Sequence, residues 1–272
     1  MGLEINALGC LLKLKKDKEN ISSVATIGRQ CLHVDKDVLS RVLEGLNIRL
    51  SDDVYRNIFS DGYSENLLKA IGVDRVDSFD YCDYEKCTVS HDMNKPISEE
   101  YKNRYDVVFD GGSLEHIFNF PTAIKNCMEM VKIGGFFISV TTCNNYSGHG
   151  FYQFSPELFF RIFTKANGFE LSSIYIDDNI HKYAVTDPEI LQSRVTFQNS
   201  KKTFLVTVAK KIEDKIIFES TPMQSDYLPL WNKNKSEQKS VKSVSILNRI
   251  VGKGLKSLSL VSRYDKKMFK KI

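Results

Sequence analysis

A chain of 272 residues is long enough for one sizeable hydrophobic core with appendages. Its 42% hydrophobic and 26% charged residues sit in the ordinary globular range and exclude a disordered chain. No run of eighteen apolar residues occurs and the N-terminus lacks a signal-peptide pattern, so the expected location is cytoplasmic.

The formal charge of +4 hides an asymmetry. Residues 233–272 carry twelve Lys/Arg against two Asp/Glu, whereas residues 1–232 carry 26 basic against 32 acidic groups. The expected division is therefore a lead-in over 1–20, an acidic domain over 21–232 and a basic extension over 233–272. The six cysteines are scattered, and none of their spacings matches a common zinc-site pairing. Reduced thiols and no metal are expected.

In chain order, the apolar stripe Leu3, Leu8, Leu11, Leu12 and Leu14 predicts a short helix ending in a lysine-rich turn. The run SSVATIGRQ predicts a first strand stopping at Gly28. Helical spacing follows over 38–50 and 64–71, with Gly72 as the stop of the second helix. RVDSFD, CTVSHD and YDVVFD predict three strands ending on or at Asp80, Asp92 and Asp110.

A helix over 121–131, a turn at Lys132 to Gly135 and the apolar strand FFISVTT come next. Ser155-Pro156-Glu157 predicts an N-cap with proline in the first turn, opening a helix over 157–166 that Gly168 closes. FELSSIYI and TFLVTVAKK predict the last two strands. Strands alternating with helices imply an α/β fold with a doubly wound, mainly parallel sheet, whose ligands bind at the C-terminal ends of its strands.

Three aspartates at successive strand ends suit a nucleoside. One carboxylate can accept both ribose hydroxyls, a second can receive the adenine amine, and the third places negative charge near a cationic centre. Taken singly, each is equally ordinary turn chemistry.

The stretch Tyr105 to Thr142 resembles the fourth-strand to fifth-strand region of class I S-adenosylmethionine-dependent methyltransferases. The matching features are Asp110, Leu114-Glu115-His116, the helix from Pro121, Gly134-Gly135 and the strand Phe136 to Val140. The likeness extends over roughly residues 21–210. It implies a Rossmann-like methyltransferase fold, S-adenosylmethionine as cofactor, and a binding set of Gly28, Arg29, Asp80, Asp92, Met93, Asp110 and Gly111.

One departure stands out. The family's first strand leads into a glycine-rich turn that lets the backbone approach the methionine part of the cofactor. Here Gly28 is followed by Arg29 and Gln30. Arg29 can hold the cofactor carboxylate through its planar fork, or fill the pocket and block it.

His116 is a candidate base, with the pKa range for work near neutral pH. His149 is a second catalytic candidate, in the loop CNNYSGHGFYQFSP, whose Asn, Tyr and His donors flanked by rings suit a small polar acceptor such as a sugar. The basic tail has Val244, Leu247, Val251, Leu255 and Leu258 at helical steps, with lysines between. Such a helix suits an anionic membrane surface, which would make the protein peripheral at the inner membrane, or docking on the acidic body. No nucleic-acid motif accompanies the charge.

Two other readings stay open. One is a non-catalytic, partner-binding scaffold, which the missing glycines favour. The other is a nucleotide-sugar enzyme with a hydride cofactor, which lacks its G-x-G-x-x-G turn.

Overall fold

The computed structural model of the chain describes residues 2–17, 20–227 and 265–272. The elements begin with β1 (Gly2–Glu4), α1 (Ile5–Lys16), β2 (Ser23–Ile27), β3 (Cys31–His33), α2 (Lys36–Glu44), α3 (Asp52–Ile58) and α4 (Glu65–Ala70). The middle of the chain holds β4 (Arg75–Asp80), β5 (Val89–Ser90), β6 (Tyr105–Asp110), α5 (Phe120–Met130) and β7 (Val131–Asn144). Then follow α6 (Pro156–Ile162), β8 (Phe169–Asp177), β9 (Lys182–Val185), α7 (Pro188–Leu191), β10 (Thr203–Lys211) and β11 (Phe269–Lys271).

Nine strands form one sheet in the order β5-β4-β2-β6-β7-β10-β8-β9-β11. The first five run parallel, and β10 is antiparallel to both β7 and β8. From β2 the chain winds outward through β4 to β5, then returns across β2 to β6 and β7. The crevice between β2 and β6 is therefore the topological switch point, where sheets of this kind place their ligands. This is the doubly wound, Rossmann-like α/β arrangement that the strand pattern predicts.

Alternation along the central strands divides the core in two. Val24, Val107 and Phe136 face a cluster with Leu8, Leu11, Leu39, Leu43, Leu67 and Leu68 of α1, α2 and α4. Their chain neighbours Ala25, Val108 and Phe137 face the opposite cluster, with Ile124, Cys127 and Met128 of α5 and Phe159 of α6. Strands buried on both faces read as near-continuous apolar runs, as β2 and β6 do. Because α1 shares the first cluster with the sheet, the lead-in is part of the domain's core.

Several local features differ from expectation. The span 38–50 is helical only as far as Glu44, and a separate helix, α3, follows it, capped by the Ser51 hydroxyl, which accepts from the Val54 amide. CTVSHD yields only the two-residue β5, leaving Asp92 in a turn. Lys132 to Gly135 belongs to β7, where Gly134 takes φ +84° at a register shift against β6. The helix from Pro156 stops at Ile162, with its Ser155 cap in place. Strand β9 falls within a polar stretch, and the last residues of the basic tail add β11 to its free edge.

The rest of the tail, including the amphipathic pattern over 244–258, lies outside the described residues. Among the described residues no helix is long and apolar enough to cross a membrane.

One carboxylate ties the three central strands together. Asp106 of β6 accepts from the Ser22 and Ser23 amides at 3.0 and 2.8 Å, from both hydroxyls at 3.0 and 2.7 Å, and from Lys132 Nζ at 2.9 Å. Burial pushes this carboxyl up, but Lys132 and the serine donors outweigh it and hold it at about 2, below its ordinary 3.8. A depressed carboxyl contributes stability that is complete above its unfolded pKa and lost as pH falls through the folded one. Asp106→Asn is thus expected to lower stability by about 2 kcal/mol at pH 7, with about half of that difference gone by pH 3. Urea midpoints of the two proteins at both pH values check it.

Candidate functional site

The candidate site lies at the C-terminal ends of β2, β4 and β6. Strand β2 ends at Gly28, whose φ of +72° turns the chain while its amide donates to the Phe79 carbonyl at 2.7 Å. No helix follows directly. The chain instead forms β3, which pairs in parallel with β1, so the N-terminal strand lies over the sheet edge.

Arg29 is fully engaged by its neighbours. Its guanidinium reaches Glu65 at 2.7 Å, the Glu85 carbonyl at 2.7 Å and Asp61 at 3.3 Å, and stacks 3.7 Å above the Tyr63 ring. It braces the first turn rather than presenting a free fork. Its backbone amide donates to Asp80 Oδ2 at 3.4 Å, and Asp80 Oδ1 accepts from the Tyr81 amide at 2.7 Å. Asp80 stays partly exposed at the end of β4, with lone pairs to spare on both oxygens.

Sequence reasoning placed Gln30 where the family has a small residue but gave it no role. Its side chain is completely buried between the β2 and β6 ends, and its Nε2 donates to the Ile27 carbonyl at 2.6 Å. A Cβ on Gly111 would collide with Gln30 Oε1 and approach the Gly2 carbonyl to 3.0 Å. The Gly2 amide in turn donates to the Gly111 carbonyl at 3.2 Å. Gln30 and β1 therefore fill the close-approach space that Gly111 provides. The only sequence signal for this was the absence of glycine after Gly28.

The other two aspartates turn back on the chain. Asp92 Oδ1 accepts from the Asn94 amide and side chain at 3.0 and 2.8 Å, which holds its carboxyl below the usual range. Met93 packs inside the second core cluster. Asp110 Oδ1 accepts from the Ser113 and Leu114 amides at 2.8 and 3.2 Å, while its Oδ2 is buried without a partner. Burial and then the nearby Glu115 push the Asp110 carboxyl well above its ordinary range, which works against its serving as the negative charge beside a cationic centre.

Past β6, a single helical turn over Leu114–His116 carries Glu115 and His116. Burial pushes Glu115 up to about 7. Burial and then His149 lower His116. The rings of His116 and His149 lie 5.0 Å apart, and Tyr146 is 5.4 Å from His149. Burial pushes the Tyr146 phenol up to about 12.

Of the loop donors, Asn144 and Asn145 are consumed in bonds to Asn199 and Lys201, which fix the loop to the sheet. Phe118 and Phe151 are exposed and meet edge to face at 5.6 Å beside the two histidines. A cavity of about 180 Å³ opens here, lined by Glu4, Gly111, Gly112, Glu115, Tyr146 and His149.

The fit to S-adenosylmethionine, the cofactor that the sequence resemblance implies, is divided. Asp80, with the Gly28 turn beside it, suits the nucleoside half. The methionine half finds Gln30 and Gly2 in its place, and the cavity is below the roughly 300 Å³ that small-molecule pockets begin at.

No protein-family model matches the sequence, and no curated protein matches it. Solved structures do resemble it. One is the N-methyltransferase NodS from Bradyrhizobium japonicum WM9 in complex with S-adenosyl-L-homocysteine, at 14% identity and a TM-score of 0.38, covering 75% of this chain and 85% of that one. Another is the Burkholderia thailandensis 1,6-didemethyltoxoflavin-N1-methyltransferase with bound 1,6-didemethyltoxoflavin and S-adenosylhomocysteine. It has 12% identity and a TM-score of 0.41, covering 77% of this chain and 80% of that one.

Proposed function

We propose that the chain is an S-adenosylmethionine-dependent methyltransferase acting on a small polar acceptor, with its site at the β2, β4 and β6 ends. The observation that carries this reading is Asp80, a partly exposed carboxylate at the end of the strand beside the switch point, with acceptor capacity left for a ribose diol. The cofactor supplies an activated methyl group, so the protein's contribution is placement of the acceptor and removal of its proton.

For that proton, His116 has the right bias: a lowered pKa keeps its ring neutral and able to accept at pH 7. His149 stands beside it. The exposed Phe118 and Phe151 rings, two residues along the chain from each histidine, offer apolar faces to the carbon side of a sugar ring. A sugar or glycan-precursor hydroxyl or amine is therefore the acceptor class we favour. Residues 233–272, with their excess of lysine, suit contact with an anionic membrane surface.

A second reading, a non-catalytic scaffold on this fold, draws on Gln30 and β1 filling the methionine half of the site. Calorimetric titration of the full chain with S-adenosylmethionine and S-adenosylhomocysteine separates the two. Saturable heat from both ligands is expected, and folded protein giving none at millimolar ligand leaves the scaffold.

A further inference from the structure

We propose that Glu115, His116 and His149 form a binding site for a divalent transition-metal ion at the mouth of the cavity. The proposal goes beyond methyl transfer and stands on these side chains alone, whether or not a cofactor binds. With the ion bound His116 is a ligand, so the proton-accepting role given to it above belongs to the metal-free protein.

The three side chains come from two segments and converge. One ligand atom from each lies within 4.8 Å of the others, and among the described residues no other group of three His, Cys, Asp or Glu side chains does so. An ion bound at about 2.0–2.2 Å to nitrogen and oxygen holds its ligands roughly 3–4 Å apart, so only small side-chain rotations separate this arrangement from a closed site.

The backbone is built for the approach. The Phe151 and Tyr152 amides both donate to the Glu115 carbonyl, at 2.8 and 3.2 Å, clamping the His149 loop onto the turn that carries the other two residues. Gly150 sits in the contact itself. A Cβ there would come within 2.8 Å of the Glu115 carbonyl oxygen and 3.2 Å of His116 Nδ1, so only glycine lets the two histidine-bearing segments meet this closely.

Glu115 supplies the independent sign of a missing partner. Its residue is 1% exposed, it lines the cavity, and its Oε2 has no hydrogen-bond donor. Buried carboxylate oxygens are ordinarily paired, and a cation in front of this one would pair it.

The donor set narrows the ion. Two imidazoles and one carboxylate suit zinc and its late first-row neighbours, whereas magnesium and calcium prefer oxygen ligands throughout. Three protein ligands also leave a coordination position open toward the cavity, where water or an acceptor oxygen can enter.

The test uses the full chain, freed of any histidine tag and stripped by a chelator, titrated with Co²⁺ and then Zn²⁺. The expected result is one equivalent of Co²⁺ with visible d–d absorption, displaced by Zn²⁺ and untouched by Mg²⁺. His116→Ala and His149→Ala, both at exposed positions, are each expected to weaken binding by at least about tenfold while the thermal melt is unchanged. Glu115→Gln, which keeps the side-chain shape, is expected to do the same. No stoichiometric site, a thiolate charge-transfer band in place of the d–d pattern, or unaltered affinity in the double histidine variant would each overturn the proposal. Titrating S-adenosylmethionine into metal-free and metal-loaded samples reads the cofactor separately, so failure of one does not imply failure of the other.

Discussion

Asp80→Ala is expected to weaken S-adenosylmethionine binding by at least about 100-fold, because two hydrogen bonds to a charged acceptor, at about 1.5–3 kcal/mol each, are lost from the ribose diol. In the free protein the Asp80 carboxylate accepts from the Arg29 and Tyr81 amides, at 3.4 and 2.7 Å, in a partly exposed position. Water can take over those two donors, so the variant should fold. Asp80→Asn separates charge from shape: it retains an acceptor oxygen for the Tyr81 amide but offers the diol neither the charge nor the paired oxygens. An intermediate loss is expected. Calorimetry on the three proteins, with thermal melts alongside, decides the matter, and an affinity unchanged in Asp80→Ala would place the ribose elsewhere.

That Asp80 can be singled out while Asp92 and Asp110 cannot marks what was readable from the sequence. The central strands were legible because their runs are apolar and bounded by turn residues, and burial on both faces demands such runs. The acids that end β4 and β6, Asp80 and Asp110, were legible too, whereas Asp92 falls beyond the end of β5. Which way the carboxylate turns was not, since that depends on neighbours such as the Asn94 side chain or the Ser113 amide. Position in a motif fixes the backbone; the local donors decide whether the side chain faces outward.

Short edge elements were illegible for a related reason. β1 and β3 are three residues each, too few for a period to register, while β5 keeps only two residues of the longer strand read over CTVSHD. Their pairing is set by partners far away in the chain, such as Gly2 with Cys31. The convergence of Glu115 and His149 also depends on long-range contact, through the Glu115 carbonyl and the Phe151 amide. The glycine at 150 is visible in the sequence, but its reason is visible only once the loop has folded back.

Gln30→Ala is expected to tighten S-adenosylmethionine binding by about tenfold, the reverse of what truncating a ligand residue would do. Gln30 holds the closed arrangement through its buried bond to the Ile27 carbonyl at 2.6 Å, worth about 1 kcal/mol net, and through the volume it occupies against Gly111. A ligand that binds only the open arrangement has its affinity reduced by the fraction of molecules that are open. Removing about 1.4 kcal/mol from the closed side therefore raises affinity about tenfold. The same change should lower the melting temperature of the free protein, because the truncated side chain leaves a void between the β2 and β6 ends. If Gln30 instead gripped the cofactor, affinity would fall along with stability. Hydrogen exchange supplies the second reading: the Gly2 amide, bonded to the Gly111 carbonyl in the closed arrangement, should exchange faster when cofactor is added, since the ligand and β1 compete for the same backbone.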